Sequence, residues 1–218
     1  MKNLNAKNFA YLIVILSGLI WFILALFYSL DISSFENFFG LMPKVISIDL
    51  ILLSLFTKWG WKWNIFKSWL VPYPDLNGSW TGYIYSNWQN PQTGDKPAPI
   101  PTMLTIKQSF FYISCVMHTA EMKSFSYIEG FVIDPERQLK QLTYVYTSKP
   151  NLSVLNRSKP HDGTTVFDII EKPDLKLTGR YWTERETTGE IKLEFKSKSI
   201  WEELPEDLGK HPVSTVDY

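Results

Sequence analysis

Residues 71–86 read VPYPDLNGSWTGYIYS, and the fold turns on this stretch. Pro72 and Pro74 stop any helix arriving from the amino-terminal side, because each lacks an amide hydrogen and fixes its own φ. Asp75, Asn77 and Gly78 supply turn chemistry, and Ser79 onward is a run of aromatic and β-branched residues suited to a strand. A domain boundary therefore falls after Pro72, with different structural idioms on its two sides.

Downstream, short segments rich in Thr, Tyr, Val, Ile and Phe alternate with turn residues and show almost no helical period. Eight strands are predicted, near 79–86, 102–107, 110–118, 124–133, 139–147, 164–170, 175–183 and 190–196. Leu175, Leu177, Gly179 and Tyr181 share one face, with Lys176, Thr178, Arg180 and Trp182 on the other. Ile191, Leu193 and Phe195 alternate with Lys192, Glu194 and Lys196 in the same way. Leu76 to Trp80 and Leu177 to Tyr181 both read L-x-G-x-aromatic, and a glycine beside a large ring suits a tightly coiled sheet. Most connections are short, which favours up-and-down antiparallel order, and about eight strands close into a small barrel able to hold one ligand. The longer loops, 87–101 and 148–163, are the expected places for ligand contacts, the second carrying Asn151, Arg157, Lys159 and His161. Residues 73–198 are thus read as an all-β barrel domain, and 199–218 as a loosely ordered extension.

Upstream, residues 9–30 read FAYLIVILSGLIWFILALFYSL, 22 residues without a charge. About 20 suffice for a helix to cross the hydrocarbon core, and the run exceeds the roughly 7 to 15 residues of a signal-peptide core. A second span is expected over 45–57, VISIDLILLSLFT, extended through WGWKWNIF to Phe66. Lys58 and Lys62 would snorkel there, and Trp59, Trp61 and Trp63 would sit at headgroup level. Residues 1–72 are therefore read as a two-helix transmembrane hairpin with a loop over 31–44. Lys2, Lys7, Lys58, Lys62 and Lys67 flank the hairpin, which by the positive-inside rule puts both termini in the cytoplasm. Asp49 is the one ionisable residue in the apolar stretch and so a candidate for helix association, pore lining or an interfacial position. Ser17 and Gly18 make a small packing patch on the first helix.

The whole chain of 218 residues carries 22 basic and 22 acidic residues, with 45% hydrophobic and 16% aromatic content. That balance excludes a disordered chain and a globally basic binder of polymeric nucleic acid. The lone Cys115 cannot form an internal disulfide, which suits a reducing compartment. His118, His161 and His211 lack metal-ligand spacing, and no phosphate loop, dinucleotide fingerprint or G-x-S-x-G occurs. Ser114 and Cys115 lie in an apolar strand without a nearby base, and the pairs Glu184 with Glu186 and Glu202 with Glu203 read as solvated rims. No catalytic residue, metal or cofactor is expected.

What stands above background, within a wider group of rings that includes Trp80, Tyr112 and Tyr181, is the set Tyr83, Tyr85, Tyr144, Tyr146 and Trp182 with Arg157 and Arg180. Bases stack on such rings, and a guanidinium forks onto phosphate. Core packing also explains rings, but a buried Tyr needs a partner for its hydroxyl, which makes Tyr144 and Tyr146 ligand candidates.

Two amino-terminal spans, a proline-broken junction and a barrel opening with YPDLNGSWTGYIYS together resemble the two-transmembrane, β-strand-rich effectors of bacterial CBASS anti-phage systems, the CD-NTase-associated membrane β-barrel effectors. The most specific part is residues 74–85. The resemblance implies a non-enzymatic receptor for a cyclic dinucleotide made by a cognate CD-NTase. It further implies self-association and disruption of the inner membrane, so that the infected cell dies or arrests. Two alternatives of other classes are a membrane-tethered calycin-like carrier of an apolar ligand and an anchor that recruits a partner protein.

Overall fold

The computed structural model describes residues 6–209 and 211–212. These residues divide into two compact units, one up to Pro74 and one from Asp75 onward.

The first unit holds two helices, α1 (Ala6–Phe27) and α2 (Phe35–Lys58). At about 1.5 Å per residue, each reaches the roughly 30 Å of a hydrocarbon core. Their large apolar side chains point outward, Val14 at 69% and Leu50 at 61% exposure, which is wrong for a soluble core and right for lipid. The helices run antiparallel: Phe9 meets Phe56 with ring centroids 5.5 Å apart, and Trp21 meets Phe38 at 5.5 Å. The second span starts ten residues earlier than its apolar run and stops at Lys58, not Phe66. Ser34 caps it, its Oγ accepting from the Asn37 amide at 3.4 Å, and Glu36 complements the positive helix start. Trp59, Trp61 and Trp63, beyond the end of α2, fall on a cap and on short 3-10 turns over Gly60–Lys62 and Asn64–Phe66. Lys2, one of the orienting cations, lies outside the described residues.

The second unit is a closed barrel of eight strands: β1 (Gly78–Ser86), β2 (Ile100–Gln108), β3 (Ile113–His118), β4 (Met122–Asp134), β5 (Leu139–Pro150), β6 (His161–Ile170), β7 (Lys176–Thr183) and β8 (Thr188–Ser197). Each strand pairs antiparallel with the next, and β8 returns to β1. All eight expected strands are present. β3 begins three residues later than expected, because a tight turn takes Phe110 and Phe111: the Ser109 amide donates to the Tyr112 carbonyl at 2.7 Å. β5 and β6 are longer than expected and shorten the second long loop to 151–160.

One end of the barrel is plugged by Trp80, Leu104, Ile106, Leu142, Phe167, Leu177 and Leu193, each no more than 1% exposed. Trp80 satisfies its indole N–H on the Leu76 carbonyl at 3.0 Å. Gly78, in the first L-x-G-x-aromatic element, has φ 139° and lies where a Cβ would strike the Ser197 carbonyl oxygen, so no other residue fits the turn into β1.

The described part of the tail is held to the barrel, in contrast to the loose extension expected. Ser79 Oγ donates to the Ser199 carbonyl at 2.8 Å and accepts from the Trp201 amide at 2.9 Å. Further on, the Cβ position of Gly209 is 4.0 Å from Pro101 Cγ, and His211 is buried. The tail thus passes from the plugged end of the barrel to the other.

Candidate functional site

Opposite the plug the barrel opens into a cavity of about 400 Å³, within the usual range for small-ligand sites. Its walls follow from strand parity. Trp80 points inward on β1, so Ile84 and Ser86 do too; Leu142 sets the inward face of β5, which brings Tyr144, Tyr146 and Ser148 onto the wall. The same rule on β6 and β7 brings in His161, Thr165, Tyr181 and Thr183.

Tyr144 and Tyr146 pack with centroids 5.9 Å apart at 57°. Tyr144 is hydrogen-bonded to Thr165, and Tyr181 to Ser86. Burial raises the pKa of all three phenols, so at neutral pH each keeps its proton and can donate. Space for two of these rings is made by glycines. A Cβ on Gly163 would lie 2.5 Å from the Tyr146 hydroxyl, and one on Gly189 would lie 2.7 Å from Tyr181 Cε1.

Two guanidinium groups stand at the mouth. Arg185, on the turn after β7, donates to Ser158 Oγ at 3.3 Å and the Lys159 carbonyl at 3.4 Å, and its Nη2 meets His161 Nε2 at 3.3 Å. His161 Nδ1 lies 3.0 Å from the Lys159 carbonyl, an acceptor, so Nδ1 carries the proton and Nε2 accepts from Arg185. Burial, with Arg185 adding to it, lowers the His161 pKa and favours that neutral form. Arg157 pairs through Nη2 with Glu121, a carboxylate only 2% exposed. The same carboxylate oxygen lies 3.4 Å from His211 Nδ1. Both arginines are held by hydrogen bonds and, among the described residues, keep further N–H donors unused, a suitable arrangement for a phosphodiester.

Of the residues singled out from sequence, Tyr144, Tyr146 and Arg157 come together in this cavity. Tyr83, Tyr85 and Trp182 are on the outer wall at 39%, 40% and 43% exposure, and Arg180 lies on that face too. Asp49 is in the helical unit, where Ser17 Oγ donates to its carboxylate at 2.6 Å. Sequence reading passed over Arg185 and Glu121 and left Tyr181 among the wider group of rings. Parity was the available signal for Tyr181 and Arg185: with Thr183 they continue the inward series of Leu177. Cys115 is buried in the core with its thiol pKa pushed well up by that burial, which removes it as a nucleophile. Among the described residues no cluster of His, Cys, Asp and Glu could hold a metal ion.

A closed antiparallel barrel, plugged at one end and open at the other onto tyrosines and arginines, defines a class: a receptor for a small, partly anionic ligand. Residues 71–195 match the family model described as Cap15, cyclic dinucleotide receptor domain. That is more than half of the chain, and the chain belongs to this family. It is also 25% identical over 180 residues to CD-NTase-associated protein 15 of Staphylococcus schleiferi, an alignment covering 79% of this chain and 91% of that protein. Family membership and the two helices bear out the resemblance drawn from residues 74–85 and the two apolar segments.

Proposed function

We propose that this chain is the membrane-anchored effector of a bacterial cyclic-oligonucleotide anti-phage system, and that its cavity binds a cyclic dinucleotide from a cognate CD-NTase. One observation carries the reading: two guanidinium groups, Arg157 and Arg185, line one cavity together with Tyr144, Tyr146 and Tyr181. A cyclic dinucleotide offers two phosphodiesters and two bases, which call for cations at the rim and rings within. Ligand-driven self-association would bring the α1–α2 hairpins together in the inner membrane and disrupt it, with both termini cytoplasmic. Coupling of that kind requires the assembled form to bind ligand better than the dispersed form. The outer-wall residues Tyr83, Tyr85, Arg180 and Trp182 remain available for contacts between barrels.

The carrier alternative calls for an almost wholly apolar interior. Ser86, Ser148, Thr165 and Glu121 in the lining weigh against it.

The test is calorimetry on the detergent-solubilised chain with a panel of cyclic dinucleotides covering the base combinations, and with fatty acids. A cyclic dinucleotide is expected to bind and fatty acids are not. Arg157→Ala and Arg185→Ala should each weaken binding about tenfold or more, the usual worth of a charge-assisted hydrogen bond. Arg180→Ala should leave affinity unchanged. Fatty-acid binding without nucleotide binding would sink the reading.

A further inference from the structure

The carboxy-terminal tail lies outside the residues matched by the family model, which end at 195. Its described part nevertheless reaches the cavity. It is pinned near the plug by the Ser79 hydroxyl, passes Pro101 at the start of β2, and brings His211 into the cavity lining. There one oxygen of Glu121 contacts two groups, Arg157 Nη2 and His211 Nδ1.

We propose that this tail is a clasp that completes the binding site and tightens on it when ligand enters, with His211 as the residue that closes. The inference rests on the reading of the cavity as a cyclic dinucleotide site. A phosphodiester at Arg157 compensates the guanidinium charge, either by drawing it from Glu121 or by sharing its unused N–H groups. Glu121 is then a buried carboxylate with less positive charge beside it, and among the described residues the other group in contact with it that can carry that charge is His211. A proton taken up on His211 converts a 3.4 Å contact into an ion pair and draws the tail onto the mouth.

The electrostatics of the free protein agree. His211 is lowered from its ordinary value chiefly by burial; Glu121 raises it and Arg157 lowers it further. Neutralising Arg157 removes one of the two influences that hold the proton off. The proton affinity of His211 is therefore higher in the complex than in the free protein, so binding must tighten as pH falls through that interval. His161, also in the cavity lining, meets Arg185, with Glu184 and Asp162 nearby, and can take up a proton of its own. A pH effect alone would not separate the two histidines, whereas tail protection and a His211 variant do.

The experiment uses the full chain in detergent with whichever cyclic dinucleotide of the panel binds most tightly. Hydrogen exchange of the 199–212 peptide should slow on adding that ligand. His211→Ala should weaken binding about fivefold to tenfold at pH 6.5, within the worth of one charge-assisted contact, and should abolish the slowing. In calorimetry across buffers of different ionisation enthalpy, it should also reduce proton uptake while leaving the share of His161. Exchange that is unchanged or faster with ligand, or a His211→Ala affinity within about twofold of the parent over this pH range, would overturn the clasp. If no cyclic dinucleotide binds the parent chain, the reading of the cavity fails first and the clasp falls with it.

Discussion

Gly163 and the phenol of Tyr146 contend for the same space. A methyl group on Gly163 would lie 2.5 Å from the hydroxyl and 2.6 Å from Cζ, while the Trp182 carbonyl closes the other side at 3.0 Å. Gly163→Ala should therefore cost about 1–3 kcal/mol by overpacking and push the ring across the cavity, so both thermal stability and nucleotide affinity fall. Gly130→Ala, on an open stretch of β4 with nothing within 4 Å, is the matched control and should change neither. A second residue with a measurable signature is His118. It is buried, its Nδ1 has no hydrogen-bond partner among the described residues, and burial, with a smaller contribution from Lys123, lowers its pKa to about 4. An unfolded chain protonates this group near pH 6.5, so between the two values the unfolded state binds more protons and stability falls as pH drops. At pH 5 the penalty is on the order of 2 kcal/mol. The drop in melting temperature from pH 7 to pH 5 should shrink in His118→Gln; an equal drop would place the sensitivity elsewhere. Residue type alone groups Tyr144 and Tyr146, which line the cavity, with Tyr83, Tyr85 and Trp182, which lie on the outer wall, because ring chemistry carries no information on strand parity. Trp80 inward on β1 already puts Tyr83 and Tyr85 outward.

At the scale of elements, α1 and α2 meet at a hydroxyl with one proton and two acceptors. Ser17 Oγ lies 2.6 Å from Asp49 and 2.9 Å from the Ile13 carbonyl of its own helix. The carboxylate is the stronger acceptor and joins α1 to α2. Polar contacts of this kind between membrane helices are worth about 0.6 kcal/mol on average, too little to hold a hairpin alone. Asp49→Asn preserves the shape and the acceptor for Ser17 while removing the potential charge. A functional intramembrane carboxylate should then show as reduced toxicity at equal membrane abundance, whereas undiminished killing would leave Asp49 a local helix clip. The spans themselves were legible from composition. The true start of α2 was less so, since Glu36 and Pro43 interrupt the apolar run and only the cap at Ser34 shows that the helix begins before them. The strands were legible because period-two alternation survives in β7 and β8. The pairing of Glu121 with Arg157 and His211 was not, since it joins residues far apart in sequence through a turn, a loop and a tail with no periodic signal.

For the whole molecule, the proposal divides labour between the two units. Deleting residues 1–68 should abolish toxicity on expression with ligand and leave nucleotide binding intact, since the cavity is built entirely from residues beyond Asp75. Toxicity of the deleted form would transfer the lethal step to the barrel or a partner. Reporter fusions at the two ends should both report cytoplasm; a carboxy-terminal reporter active only in the periplasm would place the cavity on the side opposite to a cytoplasmic nucleotide. The return of β8 to β1 carries a separate consequence for such a protein. Under the proposed function, in which ligand-driven gathering is the lethal step, the protein must be kept in the cell, ready and dispersed, between infections. An open sheet would offer a row of unpaired amides and carbonyls on which further copies could nucleate without any signal. In a closed ring those groups are already taken, so main-chain templating is denied and gathering is left to side chains and helices, whose contacts a small ligand can switch and its removal can reverse.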